Sequence, residues 1–344
     1  MVRSPLLCIV PPHVLREIAR RGSERQREWA LATLAASERM RGRRELLGEL
    51  APPLPGGKGG RRTVFDAGHG ERLPGALVRA EGGAPVRDPA VNEAYDGAGA
   101  TYDLYREVYG RNSIDGKGMR LVSSVHFGRA YDNAFWEGRQ MVYGDGDGKL
   151  FNRFTIAVDV IGHELTHGVT QHEAALAYEG EAGALNESFS DVFGILVKQR
   201  ALRQDAARAD WLIGAGLLSR GVKGKALRSL AAPGTAYDDP VLGKDPQPAH
   251  MRDYVKTTDD NGGVHLNSGI PNHAFYRAAR DLGGFAWEKA GRIWYDALAN
   301  RLKERATFRQ AGEETRKAAG ALFGRGGLEE QAVRAAWRAV GIGA

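Results

Sequence analysis

Two histidines four residues apart flank a glutamate in Val160-Ile-Gly-His163-Glu164-Leu165-Thr166-His167. On a helix, side chains four apart share a face, so both imidazoles can reach one metal ion. Glu164 follows the first of them directly, where its carboxylate can take a proton from an attacking water. By composition alone this pattern arises in roughly one chain in a hundred of this length, so in isolation it also fits a helix with two surface histidines. A catalytic zinc site needs three protein ligands and an open position. Gly183-Ala-Leu-Asn186-Glu187-Ser188-Phe189-Ser190-Asp191 offers the third ligand in Glu187, on a second expected helix. Asp191 falls one turn beyond Glu187 and can reach one ligand imidazole; Asn186 can hold the other. Such partners fix ring tautomer and orientation. Two imidazoles, one carboxylate and no thiolate describe a hydrolytic zinc site rather than a structural one.

These residues need elements to position them. Helical periodicity is expected over 12–21, 24–41, 91–110, 155–172, 183–203, 268–282, 286–302, 307–322 and 328–340. Gly22 separates the first two, and Ser23 with Gln26 has the spacing of a capping box. β-branched and aromatic runs at 63–65, 120–127 and 140–143, bounded by Gly, Asp and Asn, suggest strands. Asp145-Gly-Asp-Gly148 lacks the downstream glutamate of an EF-hand and reads as a hairpin turn. The Pro/Gly-dense stretch 51–60 reads as a linker. The fold class is therefore α+β, a β-rich half followed by a helical half. The boundaries are a helical segment 1–50, the linker 51–60, a β-rich domain 61–157, and a helical domain 158–344 that opens on the metal-binding helix. The linker alone leaves two readings of 1–50 open, a tethered helical hairpin or a removable propeptide.

Composition narrows the classes. The 344 residues are 42% hydrophobic and 26% charged, enough for one or two domains with real cores. A net charge of +6 is spread along the chain with no basic block interleaved with aromatics, which argues against nucleic acid. The single cysteine, Cys8, rules out an internal disulfide framework. No apolar run approaches the roughly 20 residues of a membrane span. The N-terminus, cut short by Pro11 and Pro12, makes a poor signal peptide. The expectation is cytoplasmic synthesis, with any export using a route that reads no cleavable signal.

Over most of residues 60–344 the chain resembles the thermolysin-like metallopeptidases. The segments that carry the resemblance are Asp132 to Trp136, Met141 to Gly148, Asp159 to Thr170, Asn186 to Asp191, Leu227 to Ser229 and Asp260 to Ile270. Val10-Pro11-Pro12-His13-Val14-Leu15 is similar to the short propeptide of the protealysin branch of that family. The resemblance implies a two-domain peptidase with one catalytic zinc in the cleft, bound by His163, His167 and Glu187. It makes Glu164 the general base that then passes the proton to the leaving amine. Tyr178 and His265 would donate to the developing oxyanion, with Asp260 orienting His265. Asn133 and Ala134 would hold the substrate as an added strand, and Arg228 would bind a substrate carbonyl. Phe151, Phe154, Val160, Ile213 and Leu227 would line the pocket for the residue after the cut, favouring Leu, Phe, Ile or Val.

The chain departs from the secreted members at their calcium sites. It keeps Asp159 and Asp210, but Lys198, Leu212 and Ala215 stand where further carboxylates would be, and Lys225 alters a later loop. An ammonium repels a cation that wants six or more oxygens, so calcium is expected to be absent or weakly bound, with Lys198 in its place. A pseudoenzyme would be expected to lack Glu164, Tyr178 or His265, and all three are present. Asn133-Ala-Phe-Trp136 favours a polypeptide substrate over a small amide. The expected form is a monomer, away from membranes, whose own propeptide lies on it in cis. Cys8, Pro11 and Pro12 are its expected anchors, Cys8 either as a ligand at the open zinc position or as a small buried side chain. Self-cleavage is expected between Arg41 and Arg62, where Leu46, Leu47, Leu50 and Leu54 offer apolar residues after the cut.

Overall fold

A computed structural model describes residues 7–47 and 62–343. The linker expected at 51–60, and with it most of the expected cleavage window, lies outside the described residues. The chain enters with a two-residue strand, β1 (Leu7–Cys8), and two helices, α1 (Pro12–Arg21) and α2 (Glu24–Leu47). Pro12 opens α1, a position where its missing N–H is no loss. The expected capping box forms, with Ser23 N donating to Gln26 Oε1 at 2.9 Å and Gln26 N to Ser23 Oγ at 3.4 Å. α2 runs past the expected end at 41. Gly42 costs a helix about 1 kcal/mol, and the Arg, Glu and Leu that follow are good helix formers. Val14, Leu15 and Ile18 of α1 join Ile9 and Val10 in the main apolar core. Ala36 and Met40 of α2 join Cys8, Phe127, Tyr131, Phe135 and Val142 in a second cluster.

The strands β2 (Arg62–Asp66), β3 (Ala76–Ala80), β4 (Leu121–Val125), β5 (Ala134–Trp136) and β6 (Met141–Tyr143) form one sheet with β1, in the order β1-β5-β6-β4-β2-β3. β2, β4 and β6 run parallel; the remaining pairs are antiparallel. β3 was not expected, because only Arg79 of its five residues is buried and no apolar alternation marks it. Arg79 is kept there by the ring of Tyr95, 3.7 Å from its guanidinium carbon. Asp145–Gly148 is an irregular loop, with positive φ at Gly146 and Gly148, and it does not join the hairpin expected of it. Asp147 Oδ1 accepts from the amides of Lys149, Leu150 and Phe151, so the carboxylate folds the loop on itself instead of leading into a paired strand.

α3 (Pro89–Asp103) packs between the sheet and α4 (Val158–His172), which is buried along most of its length. α4 lies against α5 (Gly180–Ala201). Small residues set the spacing of the two helices. A Cβ at Gly194 would come within 2.4 Å of Asp159 O, and one at Gly162 within 3.1 Å of Gly194 Cα. The helical half follows with a small ladder, β7 (Leu212–Ile213) on β8 (Arg228–Ser229), then α6 (Asp260–Asn267), α7 (Gly269–Leu282), α8 (Ala290–Asn300), α9 (Phe308–Phe323) and α10 (Leu328–Ala339). Asp260 to Gly263 at the start of α6 are left-handed, which turns the chain back over its own next turn.

Candidate active site

The close approach of α4 and α5 brings His163, His167 and Glu187 together, all at most 1% exposed. His163 Nε2 and His167 Nε2 are 3.0 Å apart, and each lies 3.5 Å from a Glu187 carboxylate oxygen. The far nitrogens are anchored. His163 Nδ1 meets Asp191 Oδ1 at 2.8 Å. His167 Nδ1 meets Asn186 Oδ1 at 2.8 Å and Ser190 Oγ at 2.9 Å. Asn186 Nδ2 is committed to Leu176 O, which fixes its amide with the oxygen toward the ring. A carboxylate and an amide oxygen only accept, so both Nδ1 atoms carry the hydrogen and both Nε2 lone pairs point inward at each other. Glu187 Oε2 and Glu164 Oε1 are buried without a hydrogen-bond partner among the described residues. Two inward lone pairs beside a buried carboxylate are what a divalent cation of zinc's ligand preference requires, and the three residues fit it.

Glu164 stands beside this trio with Oε2 accepting from the Trp136 amide at 3.0 Å. Burial pushes its carboxyl well above the usual range, and the charge of Glu187 adds to the push. A bound cation would act against that push and favour the charged carboxylate that can take a proton. On the other side, Tyr178 Oη donates to Glu187 and lies 3.3 Å from His265 Nε2. Burial, and then Glu187, keep the Tyr178 phenol protonated and so able to donate. The left-handed turn at Asp260 points its carboxylate at His265, 2.9 Å from Nδ1 and 3.0 Å from the backbone amide. Although burial opposes a charged ring, Asp260 and then Glu187 raise His265 to about 9.

The N-terminal segment fills the cleft between these groups. β1 extends the sheet along β5, pairing Leu7 with Trp136 and Cys8 with Phe135. His265 Nε2 lies 3.1 Å from Cys8 O. Ile9 N donates to Ala134 O at 3.2 Å, and Arg228 Nη1 donates to Ile9 O at 3.0 Å. Val10 N donates to Asn133 Oδ1 at 2.9 Å, and Asn133 Nδ2 returns a bond to Val10 O at 3.1 Å. Ile9 is fully buried in the same apolar cluster as Phe151, Phe154, Val160, Ile213 and Leu227. Pro11 is buried and caps α1 in an extended conformation, with Pro12 next to it. The Cys8 side chain lies in the second apolar cluster, and burial pushes its thiol far above the usual range. It is the Cys8 carbonyl, and not its sulfur, that meets the site.

Two groups that position the site, Asn272 and Ser190, were not singled out from the sequence, and Arg228, expected on a substrate carbonyl, has a second role. Arg228 donates to both oxygens of Asp191, and Asn272 Nδ2 donates to Asp191 Oδ2 at 2.8 Å. Ser190 shares His167 with Asn186; its place one turn after Glu187 was the available signal. Behind α4 and α5, Lys198 Nζ lies 3.0 Å from Asp159 Oδ2 and 2.8 Å from Asp210 Oδ1, and donates to Leu212 O.

Comparison with known proteins agrees with this geometry. Residues 62–171 match the family described as thermolysin metallopeptidase, catalytic domain, and residues 174–342 the thermolysin metallopeptidase alpha-helical domain. An extracellular metalloprotease of Pectobacterium carotovorum subsp. carotovorum is 50% identical over 99% of this chain and 98% of its own length. Protease PrtS of a Photorhabdus strain is 52% identical over 82% of this chain and 76% of its own. The solved precursor of protealysin, a metalloproteinase from Serratia proteamaculans, superposes with a TM-score of 0.88 at 54% identity, covering 97% of this chain and 99% of that one.

Proposed function

We infer, from the premise that this chain belongs to the thermolysin family of metallopeptidases, how its own residues divide the work of a zinc-dependent neutral endopeptidase. His163, His167 and Glu187 would hold the zinc, which when bound would supply Lewis acidity. Glu164 takes the proton from that water and delivers it to the leaving amine. Tyr178 and His265 donate to the carbonyl oxygen as negative charge builds on it, a contribution of about 10²–10³ in rate per donor. Asp260 keeps His265 turned toward that oxygen. Asn133 and Ala134 hold the substrate as a strand added to β5, while Arg228 takes the carbonyl of the residue after the cut. That residue enters the apolar pocket of Phe151, Phe154, Val160, Ile213 and Leu227, so cleavage falls before bulky apolar side chains.

The observation that carries this reading is the set of five hydrogen bonds on Cys8, Ile9 and Val10. They use the groups assigned to substrate, with Ile9 standing where the residue after the cut would stand. Residues 1–50 are in this reading a propeptide that blocks the cleft by lying in it as a substrate would, anchored through Cys8, Pro11 and Pro12, and residues 51–60 link it to the enzyme. The rest of the chain divides at 157 into a β-rich and a helical domain. Lys198 takes the place of a calcium ion between Asp159 and Asp210. The enzyme works as a monomer without membrane attachment. It acts outside the cell, as the relatives named extracellular metalloproteases do.

Digestion of casein by trimmed enzyme tests the reading. New N-termini should be mostly Leu, Phe, Ile and Val, and 1,10-phenanthroline should stop the reaction until zinc is restored. Mixed with active enzyme, the Glu164→Gln precursor should be cut between Arg41 and Arg62. Cuts that precede charged or small polar residues instead, or lie outside that window, would contradict the assigned pocket and propeptide.

A further inference from the structure

β2, β4 and β6 are parallel, so their C-terminal ends open on one edge of the sheet. The loops that leave them bring together His69, His126 and Asp145, whose ligand atoms lie within 4.8 Å of one another. None of the three takes part in the site above. His126 Nδ1 is 2.9 Å from both oxygens of Asp145, and His69 Nδ1 is 3.5 Å from Asp145 Oδ2. Tetrahedral zinc with bonds of about 2.0–2.2 Å spaces its ligand atoms about 3.3–3.6 Å apart, and both histidine nitrogens already stand near that distance from Asp145. In the catalytic trio the separations are 3.0, 3.5 and 3.5 Å.

We propose that His69, His126 and Asp145 form a second divalent metal site of the zinc and cobalt class, with Asp88 as the carboxylate that holds the His126 ring. Asp88 Oδ2 lies 2.6 Å from His126 Nε2, and this fixes the ring so that Nδ1 is the nitrogen that faces Asp145. A carboxylate on the far nitrogen is the usual support of a metal-bound imidazole. Asp88 is itself fixed, because its Oδ1 caps α3 through the Ala90 amide at 2.9 Å. The backbone is committed to the arrangement as well. His69 and His126 both adopt left-handed conformations, φ 60° and 55°, and His69 N donates to His126 O at 2.9 Å. Such conformations are uncommon outside glycine and persist where the surroundings enforce them.

Access is open, since the side chains of His69, Asp145 and His126 are 56%, 28% and 18% exposed. Arg153, the guanidinium whose charge Asp88 and Asp145 both feel, is turned to Glu93, with Nε donating to Oε2 at 2.7 Å. Three protein ligands and an exposed fourth position suit an ion that staples three strand ends. Two residues beyond His69, Glu71 pairs with Arg39 of α2 at 2.6 Å, so the same loop also touches the N-terminal helices.

Metal content of the full-length Glu164→Gln protein tests the proposal, because that variant cannot digest itself. After incubation with excess Zn2+ or Co2+ and gel filtration, it should retain about two equivalents. His69→Ala and Asp145→Asn, each added to it, should retain about one. The second equivalent should raise the melting temperature of the parent and leave that of His69→Ala unchanged. Retention of a single equivalent by the parent would overturn the proposal and leave these residues as a histidine–carboxylate ion pair. A second equivalent that survives both substitutions would overturn it equally, placing that metal elsewhere.

Discussion

Arg228 forks onto Asp191, with Nε and Nη2 each 2.8 Å from a carboxylate oxygen, in a setting where both side chains are at most 3% exposed. Asp191 in turn holds His163, so the cation that would grip a substrate carbonyl is tied to the ring that would grip zinc. Burial alone would raise the Asp191 carboxyl, yet Arg228 and His163 hold it far below its usual range.

Arg228→Lys should therefore damage two functions at once. A lysine cannot serve both carboxylate oxygens and a carbonyl, and charged hydrogen bonds of this kind are worth about 1.5–3 kcal/mol. Catalytic efficiency of the trimmed enzyme should fall about 10- to 100-fold, and the precursor should lose latency because Ile9 O loses the same donor. Kinetics on a short peptide check the first effect, with zinc content measured alongside. Unchanged efficiency would remove Arg228 from substrate binding.

Glu164→Gln should keep zinc and lose proteolysis. His163, His167 and Glu187 remain in place, the amide oxygen can still accept from Trp136 N, and only the base is gone. General base removal costs about 10²–10⁴ in rate. Peptide hydrolysis above about a hundredth of the parent rate, with metal content matched, would show that another group takes the proton.

Lys198 leads to a prediction about metal removal. If its ammonium does the work of calcium, EGTA at constant zinc should leave the melting temperature unchanged. Lys198→Met should destabilise the protein by about 2–4 kcal/mol, since Asp159 stays buried without its partner while the more exposed Asp210 is resolvated. A fall of many degrees on EGTA treatment would mean that calcium still binds.

What could be read in advance was what helical spacing encodes. His163, Glu164 and His167 are fixed by a four-residue step, and Glu187, Asn186 and Asp191 by positions on a second helix, so each falls on a facing surface. The N-terminal strand was illegible because β1 has only two residues and its pairing depends on β5, far along the chain. Propensity says nothing about such a contact. Asn272 escaped for a related reason, standing 81 positions from Asp191 with no motif of its own. Arg79 hid β3, since a strand whose one buried residue is charged breaks the alternation by which strands are recognised.

His13 makes latency sensitive to acid. In docked α1 its Nδ1 is sequestered without a partner, and burial, then the charge of His265, lowers it to about 4 from its ordinary 6.5, with Asp260 and Glu17 opposing and Arg228 adding to the shift. The docked form is thus neutral, and a released helix takes up a proton below 6.5. Docking is at full strength above that pH and weakens as pH falls toward 4, by about fivefold between pH 6.5 and 5.5. The activity of the precursor relative to trimmed enzyme should rise by that factor over the interval, and His13→Phe should abolish the rise. The same slope in both proteins would exclude His13.

Latency through an occupied cleft is the central claim, and the rate of the uncut chain measures it. Freshly purified precursor is assayed on an internally quenched peptide while mass spectrometry follows the fraction trimmed, and the rate is extrapolated to zero trimming. With Cys8, Ile9 and Val10 bonded to His265, Ala134, Arg228 and Asn133, that intercept should be at most about a hundredth of the trimmed rate. Ile9→Asp, which places a charge in a fully buried apolar position, should raise it toward the trimmed value. An intercept equal to the trimmed rate in the parent protein would contradict the claim.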